Sequence, residues 1–261
     1  MTESLQIVYA VLIGLSFGTF FNVVADRLPQ GMSIVFPASH CPTCKHPIAL
    51  IDNIPVFSFL WLRGKCRYCS AAIPVRVPIV EAGTAVLFAL VVARFDMSIE
   101  AGVILVSIGI FLVIAIIDFD TRLIPNVLVG PGLLVALALF PFGPGSEWGM
   151  GEAYIRTVVG ALSGFGMLLT VYLVAQFMGS AMGAGDVKLA ALIGAATGFP
   201  DMFGSLLLGF VAGGVISIYL IVVHKRSRKA AIPFGPFLAG GAIVTLLTDA
   251  AIGDWNLGLY T

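Results

Sequence analysis

"AGVILVSIGIFLVIAIIDFDTRLIPN", residues 101–126, decides the fold. No charged residue interrupts Ala101 to Ile117; Asp118, Asp120 and Arg122 then arrive together, and Pro125 closes the run. An apolar run of this kind reads as a helix in the bilayer, with the acids where it leaves the apolar phase. The whole chain agrees. Its 261 residues are 59% hydrophobic and only 11% charged, with a mean hydropathy of +1.04. A soluble domain of this size would need far more charge to cover its surface. The net charge is zero, which excludes nucleic acid as a general electrostatic partner.

Working outward, further apolar stretches lie near 5–24, 78–95, 125–141, 156–178, 187–200, 203–223 and 234–251. A polar insert runs from about 26 to 77. Several stretches are shorter than the roughly 20 residues of a spanning helix. The one near 187–200 is the weakest, broken by Gly194 and Gly198 and ended by Pro200. Charge tests the map. If the insert is cytoplasmic, alternate loops are too. That side then holds Arg27, Lys45, Arg63, Lys65, Arg67, Arg76, Arg122, Lys188, Lys225, Arg226, Arg228 and Lys229, twelve of the fourteen Lys and Arg residues. Arg94 and Arg156 fall outside, among Glu3, Asp96, Glu100, Glu147, Glu152, Asp201, Asp249 and Asp254. The positive-inside rule thus supports eight spans with both termini external. The first stretch has Glu3 in place of a basic lead and Asp26-Arg27 where small cleavage-site residues would stand, so it reads as an anchor. The expected fold is an all-α polytopic membrane protein of about eight transmembrane helices, with a small cytoplasmic zinc-ribbon-like insert between the first and second. Its parts are a first helix (1–25), the insert (26–77) and a seven-helix membrane domain (78–261).

All four cysteines lie in the insert, as "CPTC" (Cys41, Cys44) and "CRYC" (Cys66, Cys69), with 21 residues between the pairs. Each C-x-x-C turn brings two sulfurs to one side, and two such turns complete a tetrahedron for structural zinc. Four cysteines leave no open position for catalysis. Disulfides are the alternative, disfavoured on a cytoplasmic face. His40 and His46 flank the first pair as competing ligands or as surface histidines. No internal repeat is evident.

Two acids lie at helix ends on the same predicted face. Asp118 closes the third span, and Asp186, in "MGAGDVKLA" (182–190), opens the sixth, 68 residues later. Ionisable groups at membrane depth are functional by default. Paired carboxylates suit aspartyl proteolysis: one takes a proton from water while its protonated partner polarises the scissile carbonyl, and the pair shares a proton. Gly183 and Gly185 let a substrate strand or a neighbouring helix approach the backbone. The structural alternatives are an N-cap role for Asp186 and a solvated helix end for Asp118 and Asp120, with Arg122 as ion-pair partner. Lys188 either biases the pair toward ionisation or snorkels to the interface.

The G-x-G-D tetrapeptide, combined with the D-x6-P element from Asp118 to Pro125, resembles the type IV prepilin peptidases, intramembrane aspartyl proteases. The resemblance covers nearly the whole chain: "GTFFNVVADRLP" (18–29), the cysteine insert through Glu81 (41–81), "DFDTRLIPN" (118–126), "GAGDVKLAALIG" (183–194) and "IPFGPFLAGGA" (232–242). It implies that Asp118 and Asp186 are catalytic, with Asp120 ranked behind them. It implies cleavage of the basic leader from type IV prepilins or type II secretion pseudopilins, after a glycine at the membrane boundary. It places the protein in the bacterial inner membrane, with lipid and those substrates as its partners. The insert further implies methylation of the new N-terminal amine by S-adenosylmethionine, whose site the sequence does not show. Glu81 matches a family glutamate, either in methyl transfer or amine binding, or as an interfacial residue paired with Arg76. Pro233 to Pro236 mark a helix start or border the peptide groove. The competing function is a proton-coupled transporter with a zinc-stapled domain, against which both acids lie at one face rather than near the midplane.

Overall fold

A computed structural model of the chain describes residues 3–146, 149–179, 183–223 and 233–248. Nine α-helices follow in order among them: α1 (Glu3–Arg27), α2 (Phe57–Trp61), α3 (Arg76–Phe95), α4 (Ile99–Thr121), α5 (Asn126–Leu139), α6 (Met150–Phe177), α7 (Ala184–Thr197), α8 (Met202–Val222) and α9 (Gly235–Thr248). Apart from short α2, these are the eight apolar stretches of the sequence. The basic run Lys225, Arg226, Arg228 and Lys229 lies outside the described residues, as do Glu147, Asp249 and Asp254.

Five helical segments are long and apolar enough to cross a membrane: Glu3–Gln30, Arg76–Phe95, Ile99–Thr121, Met150–Phe177 and Met202–Leu220. The count of eight is not reached on length. Helices α5, α7 and α9 each have 14 described residues, about 21 Å of helix against a hydrocarbon core of about 30 Å. Their limits are chemical. Pro125 precedes α5 and Gly198 caps α7 with φ of +75°. Only 17% of the most apolar window of α6 is buried, and Ile155, Leu162 and Leu173 point outward, as side chains facing lipid do.

The chain divides into two compact units, Met1–Met97 and Ser98–Thr261. In the first, α1 packs along α3, and the cysteine insert is carried between them in sequence. In the second, α7 is the core. Leu189, Ala190, Ile193 and Ala195 are fully buried, and α5, α6, α8 and α9 all pack on it. A helix that is apolar all round belongs inside a bundle. Its tightest neighbour is α6, where Gly160 and Gly194 face each other so closely that a Cβ on either would fall on the other's carbonyl oxygen. Without side chains the two backbones meet, and van der Waals contact replaces the hydrophobic drive that lipid does not supply.

Candidate active site

Helix α4 starts on Ser98, whose Oγ accepts the Ala101 N–H (3.0 Å). It ends where Arg122 turns left-handed (φ 57°) and donates its N–H to the Asp118 carbonyl at 2.8 Å. Pro125, lacking an N–H, keeps the helix from resuming before Asn126. Asp118 therefore sits in the last turn of α4, with its side chain buried. Asp186 is in the first turn of α7, also buried, and its N–H reaches the Gly183 carbonyl at 3.3 Å. The N-cap is Gly183, so Asp186 is the third helical residue and not the cap itself. Helix α9 packs on both α4 and α7, the two helices that carry these carboxylates.

A third element completes the site. Gly235, the first residue of α9, donates its backbone N–H to Asp118 Oδ2 at 2.9 Å. Helix N-termini offer unpaired N–H groups to anions, and here one is spent on a buried carboxylate. A Cβ at Gly235 would lie 2.7 Å from that oxygen, so only glycine allows the approach. Sequence reasoning placed Gly235 in a helix start and missed this bond. The available signal was a glycine between Phe234 and Pro236 at the mouth of an apolar helix.

The other predicted residues are placed as follows. Gly185 stands against the Ile124 side chain (a Cβ would be 3.0 Å from Ile124 Cβ), so its missing side chain admits the α4–α5 connection. A Cβ at Gly183 would meet nothing closer than 3.8 Å. Lys188 donates to Asn126 Oδ1 at 2.9 Å, tying α7 to the start of α5. Asp120 is exposed at the end of α4.

In the first unit, the four cysteine Sγ atoms lie within 4.8 Å of one another, and Cys41 and Cys69 are 3.7 Å apart. Zinc–sulfur bonds of about 2.3 Å in a tetrahedron set sulfur–sulfur edges of about 3.8 Å, so the donor set fits zinc. Backbone N–H groups of Cys44 and Thr43 pull the Cys41 thiol down to about 6, toward the thiolate that binds metal. His46 stacks on Tyr68 (ring centroids 3.5 Å apart) and His40 Nδ1 bonds the Ala38 carbonyl, leaving four sulfurs as the set. The two turns also repeat each other 25 residues apart, although the sequence suggested no repeat. Cys41 and Cys66 accept the N–H groups of Lys45 and Ser70, both left-handed, and donate to the carbonyls of His46 and Ala71. Bridges His40–Pro47 and Lys65–Ala72 bracket them. Beyond the cysteines, the copies share little but Ile48 and Ile73, which hid the repeat.

Glu81 is buried in α3. Its Oε1 accepts the Thr19 hydroxyl (2.8 Å) and its Oε2 the Val56 N–H (2.7 Å). It is not the partner of Arg76, which pairs with Asp26 on α1.

Residues 12–95 match the bacterial peptidase A24 N-terminal domain, and residues 105–218 match the type IV leader peptidase family. A prepilin leader peptidase/N-methyltransferase of Pseudomonas putida is 36% identical, over 99% of this chain and 96% of its own length. Proteins of that name from Pseudomonas aeruginosa (34% identical, 91% and 88% covered) and Aeromonas salmonicida (32%, 94% and 92%) are similar to it as well. No solved structure matches. Nothing in these similarities supports a transporter.

Proposed function

Because the chain belongs to the type IV leader peptidase family, we propose that it removes the leader from type IV prepilins or type II secretion pseudopilins and methylates the amine this exposes. One observation carries the proteolytic half: two buried aspartates, one in the last turn of α4 and one in the first turn of α7, stand at the ends of helices that both pack on α9. Asp118 and Asp186 share one proton. The ionised carboxylate takes a proton from a water as its oxygen attacks the scissile carbonyl, and the protonated carboxyl hydrogen-bonds the developing oxyanion. Collapse breaks the C–N bond, and a carboxyl returns the proton to the leaving amine. Gly235 N–H holds Asp118 in register through Oδ2. Gly185 keeps the start of α7 close against Ile124, while Gly183, Lys188 and Asp120 stand outside the chemistry.

The short helices α5, α7 and α9 complete eight crossings in the inner membrane, α7 and α9 largely enclosed by protein and α5 with Val127 and Leu134 exposed. The basic insert faces the cytoplasm, which puts the dyad where water and the leader reach it. Zinc on Cys41, Cys44, Cys66 and Cys69 staples the insert, a segment too poor in core to hold itself. S-adenosylmethionine supplies the methyl group. The test is leader cleavage by purified protein in detergent. Asp118→Asn and Asp186→Asn each abolish cleavage with unfolding temperature retained; near-normal activity in either variant refutes the dyad.

A further inference from the structure

The insert lies outside the spanning helices, yet its short helix α2 turns an apolar side outward. Phe57, Leu60 and Trp61 stand at i, i+3 and i+4, on one side of a single helical turn. Their exposures are 56%, 67% and 71%, and the Phe57 and Trp61 rings stack with centroids 6.0 Å apart. Phe59 packs instead against Gly64, where a Cβ would lie 3.1 Å from its ring. The insert thus uses Phe59 for its own packing and leaves the other three uncovered. The turn Leu50–Asn53 packs on α2 and adds Leu50, 92% exposed, and Ile51. Large apolar side chains gathered in water are costly, and a cluster of this kind marks a contact surface.

Charge says what covers it. The segment from Asp26 to Val77 carries six Lys and Arg residues against two acids. Both acids are occupied, Asp52 by Arg67 and Asp26 by Arg76. Arg63 and Lys65 directly follow α2, are exposed, and have no acidic partner among the described residues. An apolar patch with an uncompensated basic edge fits an anionic surface with apolar depth beneath it, which is the headgroup region of a bilayer. Tryptophan suits that region, its ring at the acyl boundary and its N–H among the headgroups. The chain also supplies the approach. Helix α1 ends at Arg27 and α3 begins at Arg76, and both are long and apolar enough to span, so the insert is tethered to the membrane at each end. Other occupants meet the wrong charge: a basic leader is repelled by Arg63 and Lys65, and so is a second copy of this chain presenting the same face.

We propose that α2 and the turn Leu50–Asn53 form a docking face for the anionic surface of the bilayer that α1 and α3 cross. Leu60 and Trp61 enter the headgroup region, and Arg63 and Lys65 pair with lipid phosphates. The contact lays the insert on the membrane instead of leaving it held by its two ends alone. It needs no substrate, so it stands or falls separately from the proteolytic and methyl-transfer readings.

The experiment uses the full chain with Trp61 as its one tryptophan, Trp148 and Trp255 being replaced by phenylalanine. The protein is reconstituted in vesicles of phosphatidylethanolamine and phosphatidylglycerol. Two quenchers read the surroundings of Trp61: lipid brominated on the acyl chain near the headgroup, and acrylamide in the water. Trp61 is expected to be quenched by the brominated lipid and shielded from acrylamide. Arg63→Gln combined with Lys65→Gln is expected to lower the ratio of docked to undocked insert about 25-fold, about fivefold for each charge. Vesicles of phosphatidylcholine alone should weaken docking of the unneutralised chain in the same direction. Trp61 open to acrylamide and untouched by the brominated lipid overturns the proposal, because the patch then stands in water. Shielding from both quenchers overturns it as well, since protein then covers the patch. Brominated-lipid quenching that is equal in phosphatidylcholine and unmoved by the double variant overturns the pairing with charged lipid on which the assignment rests. The first two outcomes are read on the chain with Arg63 and Lys65 intact, so a misfolded variant does not rescue the proposal.

Discussion

Substituting Gly235 with alanine adds one methyl group at the most constrained point of the site. Its Cβ would lie 2.7 Å from Asp118 Oδ2 and 3.0 Å from Cγ. Carbon–oxygen contacts settle at about 3.3 Å or more, so the carboxylate or the start of α9 must retreat by about 0.6 Å. That stretches the 2.9 Å bond from Gly235 N–H to the limit of a hydrogen bond. Overpacking of this kind costs about 1–3 kcal/mol of stability. Displacement of a catalytic group by up to an ångström costs about 10²-fold in rate. Gly235→Ala is therefore expected to lower kcat/KM for leader cleavage by about 10²-fold, some 2.7 kcal/mol of transition-state stabilisation. The protein should stay folded. Gly240→Ala, in the same helix with nothing within 4 Å of the added carbon, is the control and should cleave as wild type does. Prepilin cleavage under single-turnover conditions gives both numbers. Equal rates for the two variants would refute the assignment of Gly235 as the group that orients Asp118.

Three further outcomes follow from the geometry. Cys41→Ser and Cys66→Ser each leave three thiolates and should release the metal, read as zinc per chain; wild-type protein containing no zinc would remove the site. Gly194→Ala drives a methyl into the Gly160 carbonyl and should destabilise the second unit by about 1–3 kcal/mol, read as unfolding in detergent, and wild-type stability would refute the α6–α7 seam. Asp52 is held below the usual carboxylate range by the Arg67 guanidinium, so its contribution is present above the unfolded value of about 3.9 and lost as pH falls through the lower folded value. Arg67→Ala should accordingly move acid unfolding of the insert to higher pH, followed by Trp61 fluorescence with Trp148 and Trp255 replaced; an unmoved midpoint would show the pair to be idle.

The helices were legible because lipid makes the code simple: apolar runs bounded by Pro125, Gly183 and Pro200 became elements. Span length was not. Hydropathy records how apolar a segment is, not whether lipid or protein surrounds it, and α7 is enclosed by protein. Asp118 and Asp186 stood out in the sequence because acids in apolar runs are conspicuous. Gly235 was hidden for the opposite reason, since its contribution is a backbone N–H that every residue but proline carries. Glu81 stood out as an acid, yet its partners Thr19 and Val56 are distant in sequence, and the nearby Arg76 offered a false match. The 25-residue repeat was lost because hydrogen-bonded turns constrain φ and carbonyl direction more than side-chain identity.

The enclosure of α7 has a consequence for biogenesis. A 14-residue segment with a carboxylate at its head gains little by partitioning alone into a bilayer of about 30 Å. Its apolar surface is matched to α6, α5 and α9 rather than to acyl chains, and the glycine seam presses it against α6, the helix before it in the chain. The favourable course is insertion as a hairpin with α6. α9 follows α7 and α8 in the chain and brings the N–H that fixes Asp118, so this carboxylate is held only once α9 has joined the bundle.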